Sequence, residues 1–85
     1  MEVIRKIAFT CEDKRYEIRV LTDNNIINIV AFHRNHPANG FRYHIQLPKN
    51  IHPKQILETE PLKEMIEQSK NDIYTQRWDK LRAHF

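Results

Sequence analysis

Residues 15–33, RYEIRVLTDNNIINIVAFH, carry the clearest secondary-structure pattern of this chain. Up to Leu21, apolar side chains alternate with charged ones, which is the period of a strand with one buried face. The TDNN sequence that follows favours a tight turn, because asparagine tolerates a positive φ. Residues 26–33 are apolar on both faces, as expected of a central strand. Closing the turn on Asn24-Asn25 pairs apolar residues on one face: Val20 with Ile29, Ile18 with Ala31, and Tyr16 with His33.

The runs on either side extend this hairpin into a larger sheet. Residues 3–11 precede it, and residues 41–47 follow it with strict alternation. We expect the first turn to close on Asp13-Lys14 and the third to set His33 opposite Phe41, with RNHPANG (34–40) as a connecting loop. The resulting pairs are Cys11 with Tyr16, Phe9 with Ile18, Ile7 with Val20, Ala31 with Tyr43, Ile29 with Ile45, and Ile27 with Leu47. All three hairpins agree on one core face, which predicts a four-stranded antiparallel meander.

Helical spacing replaces this alternation after Pro53. One apolar stripe consists of Leu62, Met65, Ile66, Ser69 and Ile73. Thr59 or Glu60 before Pro61 gives the helix start, since proline is tolerated in a first turn. A second stripe, starting at Tyr74, lies roughly 100° further round the helix. We therefore expect one long helix that bends or breaks near Asn71-Asp72, with Asp72 as the cap of any second helix.

The predicted fold class is α+β, with the C-terminal helix packed on one face of the meander. A chain of 85 residues forms one domain, here with a meander in 1–48 and a helical segment in 53–85. The single cysteine, Cys11, excludes an internal disulfide and a cysteine-based zinc cage. No apolar run approaches the ~18–20 residues of a membrane span, and the N-terminus lacks a signal-peptide core. We expect a cytoplasmic protein without a membrane partner.

The basic excess lies entirely in the predicted sheet. Residues 1–50 contain eight Lys/Arg and five Asp/Glu, whereas residues 51–85 contain six of each. The register places Val30 and Phe32 at the centre of the open face, and Glu17 is the only acid on its strands. Its candidate residues for binding single-stranded RNA or DNA are Lys6, Arg15, Arg19, Phe32, Arg42 and His44. Two alternatives stay open: a solvated face whose arginine stems cover the apolar residues, and a dimer interface.

The histidines of HRNHPANGFRYH, residues 33–44, first suggest a metal site. The register places His33 on the core face and His44 on the opposite face, so the two cannot share an ion. His36 lies between them in the loop and can join only one of them. The sequence therefore predicts no metal site and calls for no cofactor.

No catalytic motif occurs in the chain. In the predicted register the nearest histidine to Cys11 is His33, two strands or about 10 Å away, which is too far for a nucleophile and its base. A small metal-independent ribonuclease of the toxin type is the enzymatic alternative. It would use Arg42 and His44, with Arg19, on the open face.

The stripe of Tyr74, Trp78, Leu81 and Phe85 is most simply core, but the first stripe already covers the sheet. It is therefore also a candidate interface for self-association. Taken together, these patterns favour a small, non-catalytic binding or interaction module. The most specific hypothesis is that it binds single-stranded nucleic acid through the open face. The alternatives are the ribonuclease and a purely dimerising domain.

Overall fold

The computed structural model describes residues 1–84. It contains five strands, one 3₁₀ turn and two helices in this part of the chain. In order these are β1 (Glu2–Cys11), β2 (Lys14–Asp23), β3 (Ile26–His33), β4 (His36–Pro37), β5 (Tyr43–Gln46), the 3₁₀ turn Pro53–Ile56, α1 (Glu60–Tyr74) and α2 (Arg77–Arg82). The α+β class and the antiparallel sheet with a C-terminal helical layer are confirmed.

The central hairpin has the predicted register. Val20 pairs with Ile29 and Ile18 with Ala31 across β2 and β3. The turn closes on Asn24-Asn25, whose φ angles of 50° and 63° are left-handed. Such a two-residue turn matches the twist of the flanking strands.

The first hairpin pairs two residues out of the predicted register. Cys11 pairs with Lys14 and Phe9 with Tyr16, not with the partners that a turn on Asp13-Lys14 implied. The turn instead uses Glu12-Asp13, both at positive φ. Because side chains alternate with a period of two, this shift changes the partners and leaves the side chains from Arg5 to Cys11 on their predicted faces. A β-bulge between Val3 and Arg5 offsets the start of β1 by one residue, so Val3 lies opposite Leu21 and Ile4 packs against the core.

The predicted loop at 34–40 is wrong. Arg34-Asn35 form a third tight turn, with φ angles of 52° and 65°, and β4 pairs at once with the end of β3. The chain leaves the sheet at 39–42 and returns as β5, where Ile29 pairs with Tyr43 rather than with Ile45. β4 and β5 thus share the fourth position in the sheet, beside β3.

The helical layer breaks four residues later than predicted. α1 begins at Glu60 as expected, continues through Asn71-Asp72, and ends at Tyr74. The break falls at Gln76, whose φ of 55° is left-handed and cannot continue a helix. Asp72 is therefore not a cap: it is buried inside α1 and accepts hydrogen bonds from Tyr43 Oη and, at 2.8 Å, from Gln68 Nε2.

The core lies between one face of the sheet and α1. Its members come from both layers, with the predicted helical stripe facing the strands. They are Ile18, Val20, Ile27, Ile29, Ala31, Leu47, Leu62, Ile66 and Ile73. Within residues 1–84, none of the helices has the length and apolar character needed to cross a membrane. The opposite face of the sheet is left without a helical cover and holds most of the predicted site residues.

Candidate functional site

The open face carries the predicted basic residues on β1 and β2. Lys6 pairs with Arg19, Arg19 pairs in turn with Val30, and Arg15 pairs with Thr10. Long polar side chains thus surround an apolar centre, and Val30 is only 2% exposed despite having no helix above it. Arg19 is its direct partner across β2 and β3, and the stems of such long side chains can cover an apolar residue.

Arg19 is held in place over Phe32. Its guanidinium carbon lies 4.1 Å from the centre of the Phe32 ring, which is a close cation–π contact. Arg19 Nε donates to Glu17 Oε1, and Nη2 donates to Asn35 Oδ1 at 2.7 Å. The ring face predicted to stack a base is therefore occupied by a guanidinium plane.

A shallow hollow of about 180 Å³ lies beside this contact and is lined by Arg15, Arg19, Arg34 and Phe32. We refer to it as the arginine hollow. Arg34 was not among the predicted binding residues, because the expected loop hid its position. The tight turn at Arg34-Asn35 brings it to the open face. Within residues 1–84, neither Arg15 nor Arg34 forms an ion pair.

The other two predicted residues lie elsewhere on the sheet. His44 is exposed and opposite Asn28, near the start of β3. Arg42 is exposed and belongs to the excursion at 39–42. Arg19 leans towards Phe32, which is four residues or about 13 Å along β3 from Asn28. The structure therefore does not bring Arg19 and His44 together as a catalytic pair.

The predicted interface residues of the tail have separate surroundings. Trp78 is half-buried against its own chain: a Cβ atom at Gly40 would overlap its ring, and the Phe41 ring centre is 6.2 Å away. Tyr74 contacts Phe9 edge-on yet is 52% exposed, and Leu81 is 38% exposed. Phe85 lies outside the described residues. Self-association through Tyr74 and Leu81 stays a prediction.

A second and larger cavity was missed by the sequence reasoning. It has a volume of about 400 Å³ and lies at the end of the sheet, between the Glu12-Asp13 and Arg34-Asn35 turns and the junction of α1 with α2. We refer to it as the end cleft. Its lining includes Cys11, Tyr16, His33, Asn39, Trp78 and Asp79. Its lining comes from six elements and four connections that are far apart in the sequence, so no local sequence pattern predicts it.

The sheet side of the end cleft is aromatic. The Tyr16 ring centre lies 5.0 Å from that of His33 and 5.6 Å from that of Phe9. His33 Nδ1 donates to the Arg15 carbonyl at 3.0 Å, which fixes the orientation of the imidazole. Burial, followed by negative charge on Cys11, Glu12 and Asp79, raises the pKa of the Tyr16 phenol. The phenol therefore stays protonated at neutral pH and can donate a hydrogen bond.

The helix side of the cleft carries acidic groups. The Asp72 carboxylate accepts hydrogen bonds from Tyr43 and Gln68 and forms an ion pair with Arg77 Nη1 at 3.6 Å, so its partners all belong to the fold. Asp79 Oδ1 accepts from Arg82 Nη2 at 2.9 Å, and its second oxygen is the one left for other partners.

The histidines do not form a metal centre in the described part of the chain. His33 and His36 are direct partners across the Arg34-Asn35 turn, whereas His44 follows Tyr43 and points to the other face. Among residues 1–84, no three His, Cys, Asp or Glu side chains are grouped to hold an ion.

The chain matches no protein-family model, and no curated protein or solved structure matches it.

Proposed function

We propose that this protein is a small binding module that holds single-stranded RNA or DNA on the open face of its sheet, through the arginine hollow. One observation carries the proposal: Arg15, Arg19 and Arg34 line the same hollow, and the only acid among them, Glu17, is already paired with Arg19. A hollow of about 180 Å³ is too small for a whole ligand, since such pockets measure roughly 300–1,000 Å³. Its size and charge suit phosphate groups.

Further cations extend this surface along the sheet. Lys6 on β1 is the direct cross-strand partner of Arg19 on β2. His44 on β5 lies on the same face, opposite Asn28 near the start of β3. A polyanion lying on the face would therefore meet positive charge along its length. This distribution supports an extended ligand over a single small anion.

The position of Arg19 makes phosphate contacts more important than base stacking here. The guanidinium already covers the Phe32 ring and is held by Glu17 and Asn35. A base reaching the centre of the face would stack on the guanidinium plane, which is a known way to hold unpaired bases. We therefore expect little sequence preference from the open face itself.

Fluorescence anisotropy with labelled single-stranded oligonucleotides tests the proposal. With three phosphates neutralised, the logarithm of the association constant should fall with the logarithm of salt concentration with a slope of roughly −2. Undetectable binding at low salt would overturn the proposal. A strand that is cleaved rather than retained would instead favour the catalytic alternative built on Arg42 and His44.

Two variants locate the binding surface. Arg15→Gln and Arg34→Asn should each weaken binding about 5- to 10-fold and make the salt slope shallower by roughly 0.7. Asparagine is chosen at position 34 because it tolerates the left-handed backbone there. Lys54→Gln is the matched control: the neighbouring Pro53 lies beside the Asn24-Asn25 turn, at the opposite end of the sheet. An equal loss of affinity in Lys54→Gln would show that the net charge of the protein, and not the arginine hollow, determines binding.

A further inference from the structure

The end cleft adjoins the arginine hollow. Arg34 and Tyr16 line both, so the two cavities meet around the end of the sheet. A strand whose phosphates lie in the hollow therefore has the mouth of the cleft within reach of its next nucleotide. At about 400 Å³, the cleft falls within the size range of small-molecule pockets.

The lining of the cleft combines flat aromatic surfaces with hydrogen-bonding groups. Tyr16 and His33 form the sheet side, and Trp78 enters from α2. Asn39, Gln76 and Asp79 add amide and carboxylate groups around them. Unpaired bases are recognised by this combination, through stacking on aromatic rings and hydrogen bonds to their polar edges.

The charges of the cleft give a bound nucleotide one orientation. Glu12 and Asp79 in the lining repel a phosphate, whereas Arg34 at the shared rim and the exposed Lys14 attract it. The base therefore points inwards and the phosphate stays at the rim. A carboxylate only accepts hydrogen bonds, so Asp79 favours a base with an exocyclic amino group, as when Asp or Glu accepts from cytosine N4.

We propose that the end cleft takes one amino-bearing nucleobase, such as cytosine, from the strand whose phosphates lie in the arginine hollow. This inference rests on the proposed function and adds base selectivity to it. The hollow would supply sequence-independent affinity, and the cleft would choose one base at one position.

The test uses Trp78, the only tryptophan of the chain, as the reporter. The full-length protein is titrated with a short oligonucleotide of cytosines, with one of uracils, and with an abasic strand of equal length. Cytosine should bind about 5-fold or more tighter than the other two and change the Trp78 emission. Equal affinities with unchanged emission would overturn the cleft proposal while leaving the proposed function intact. Failure of all three strands to bind would overturn both.

Asp79→Asn tests the base contact without emptying the cleft. It should lower the preference for cytosine over uracil to about 2-fold or less, and any general gain in affinity from the lost negative charge raises both strands alike and cancels in that ratio. Glu64→Gln, an exposed acid on α1, is the matched control and should keep the preference. A preference that survives Asp79→Asn would overturn the assignment of this carboxylate.

A free nucleotide presents the same chemistry as a strand. Cytidine 5′-monophosphate is therefore titrated alongside the oligonucleotide. It should bind at least 10-fold more weakly, because it offers the arginine hollow a single phosphate. Equal affinity for the two would overturn the strand as the ligand of the cleft.

Discussion

The two faces of the sheet bury valine almost equally but cover it with different materials. Val20 on the core face is 0% exposed beneath α1, and Val30 on the open face is 2% exposed beneath Arg19 and its neighbours. The first cover is a helix, whose side chains pack as in a protein interior, and the second consists of separate long side chains, of which Arg19 is held only by Glu17, Asn35 and the Phe32 ring. The exposed fraction of a residue alone thus does not distinguish the core from the open face, and the two differ in whether the covering groups belong to a helix or to separate side chains.

The largest effect on the free energy of unfolding is expected from shortening a buried side chain of α1. Leu62 is completely buried where α1 meets the sheet. Leu62→Ala should lower the free energy of unfolding by about 2–5 kcal/mol, since the surrounding strands cannot collapse into the cavity. Chemical denaturation followed by circular dichroism measures this. A loss below 1 kcal/mol would mean that the helix packs only loosely.

The second largest effect on stability is expected from the hydrogen bond between Tyr43 on β5 and Asp72 on α1. Tyr43→Phe removes the donor to the buried Asp72 carboxylate and should cost about 1.5–3 kcal/mol at neutral pH. Burial and the hydrogen bond to Asp72 raise the pKa of Tyr43 to about 12, from an ordinary value of 10.0.

That pKa gives the same variant a pH signature. Because the folded pKa lies above the unfolded one, the stabilisation is complete below pH 10 and is lost as the pH rises towards 12. The difference in unfolding free energy between wild type and Tyr43→Phe should therefore shrink over that interval. A difference that stays constant up to pH 12 would contradict the role of this hydrogen bond.

A matched pair of substitutions compares the two covers directly. Val20→Ala and Val30→Ala delete the same atoms from opposite faces of adjacent strands. We expect Val20→Ala to cost about 1 kcal/mol more, because separate side chains on the open face can each shift towards the smaller residue, whereas a helix cannot. Equal costs in denaturation would show that the open face is as rigid as the core.

The smallest effect should come from removing part of the flexible cover. Arg19→Ala exposes Phe32 and breaks the pair with Glu17, and should cost about 0.5–1 kcal/mol. Arg82→Ala is the control, because its partner Asp79 is equally exposed and that pair should be worth less than 0.5 kcal/mol. Sedimentation of Arg19→Ala would also reveal whether the uncovered ring promotes self-association.

The faces of the strands were predictable because their period is two, but the pairing was predictable only in part. The β2–β3 register followed from Asn24-Asn25, a sequence that favours a left-handed turn. The other two tight turns fall on Glu12-Asp13 and Arg34-Asn35, where glutamate and arginine have no such preference. The β1–β2 register was therefore displaced by two residues, β4 lay inside the predicted loop, and β5 pairs with β3 two residues from the predicted register.

The residues of the open face and of the cavities were predictable to the same extent. Lys6, Arg15 and Arg19 were correctly placed on the open face by alternation. Arg34 and the end cleft were missed, because both depend on the position of a turn and on the packing of α2 against the sheet. The Gln76 break was missed since glutamine gives no signal for a left-handed residue.

Glu12 and Arg34 occupy left-handed positions that cost an ordinary residue about 1–2 kcal/mol. Both line the end cleft, while the Asn24-Asn25 turn at the other end of the sheet uses residues suited to that backbone. Asparagine at either position should therefore raise the melting temperature. Arg34→Asn, which should weaken nucleic-acid binding, is thus expected to give a sturdier molecule. Selection for a higher melting temperature alone would therefore replace Glu12 and Arg34 early, although Arg34 is one of the residues proposed to hold phosphate.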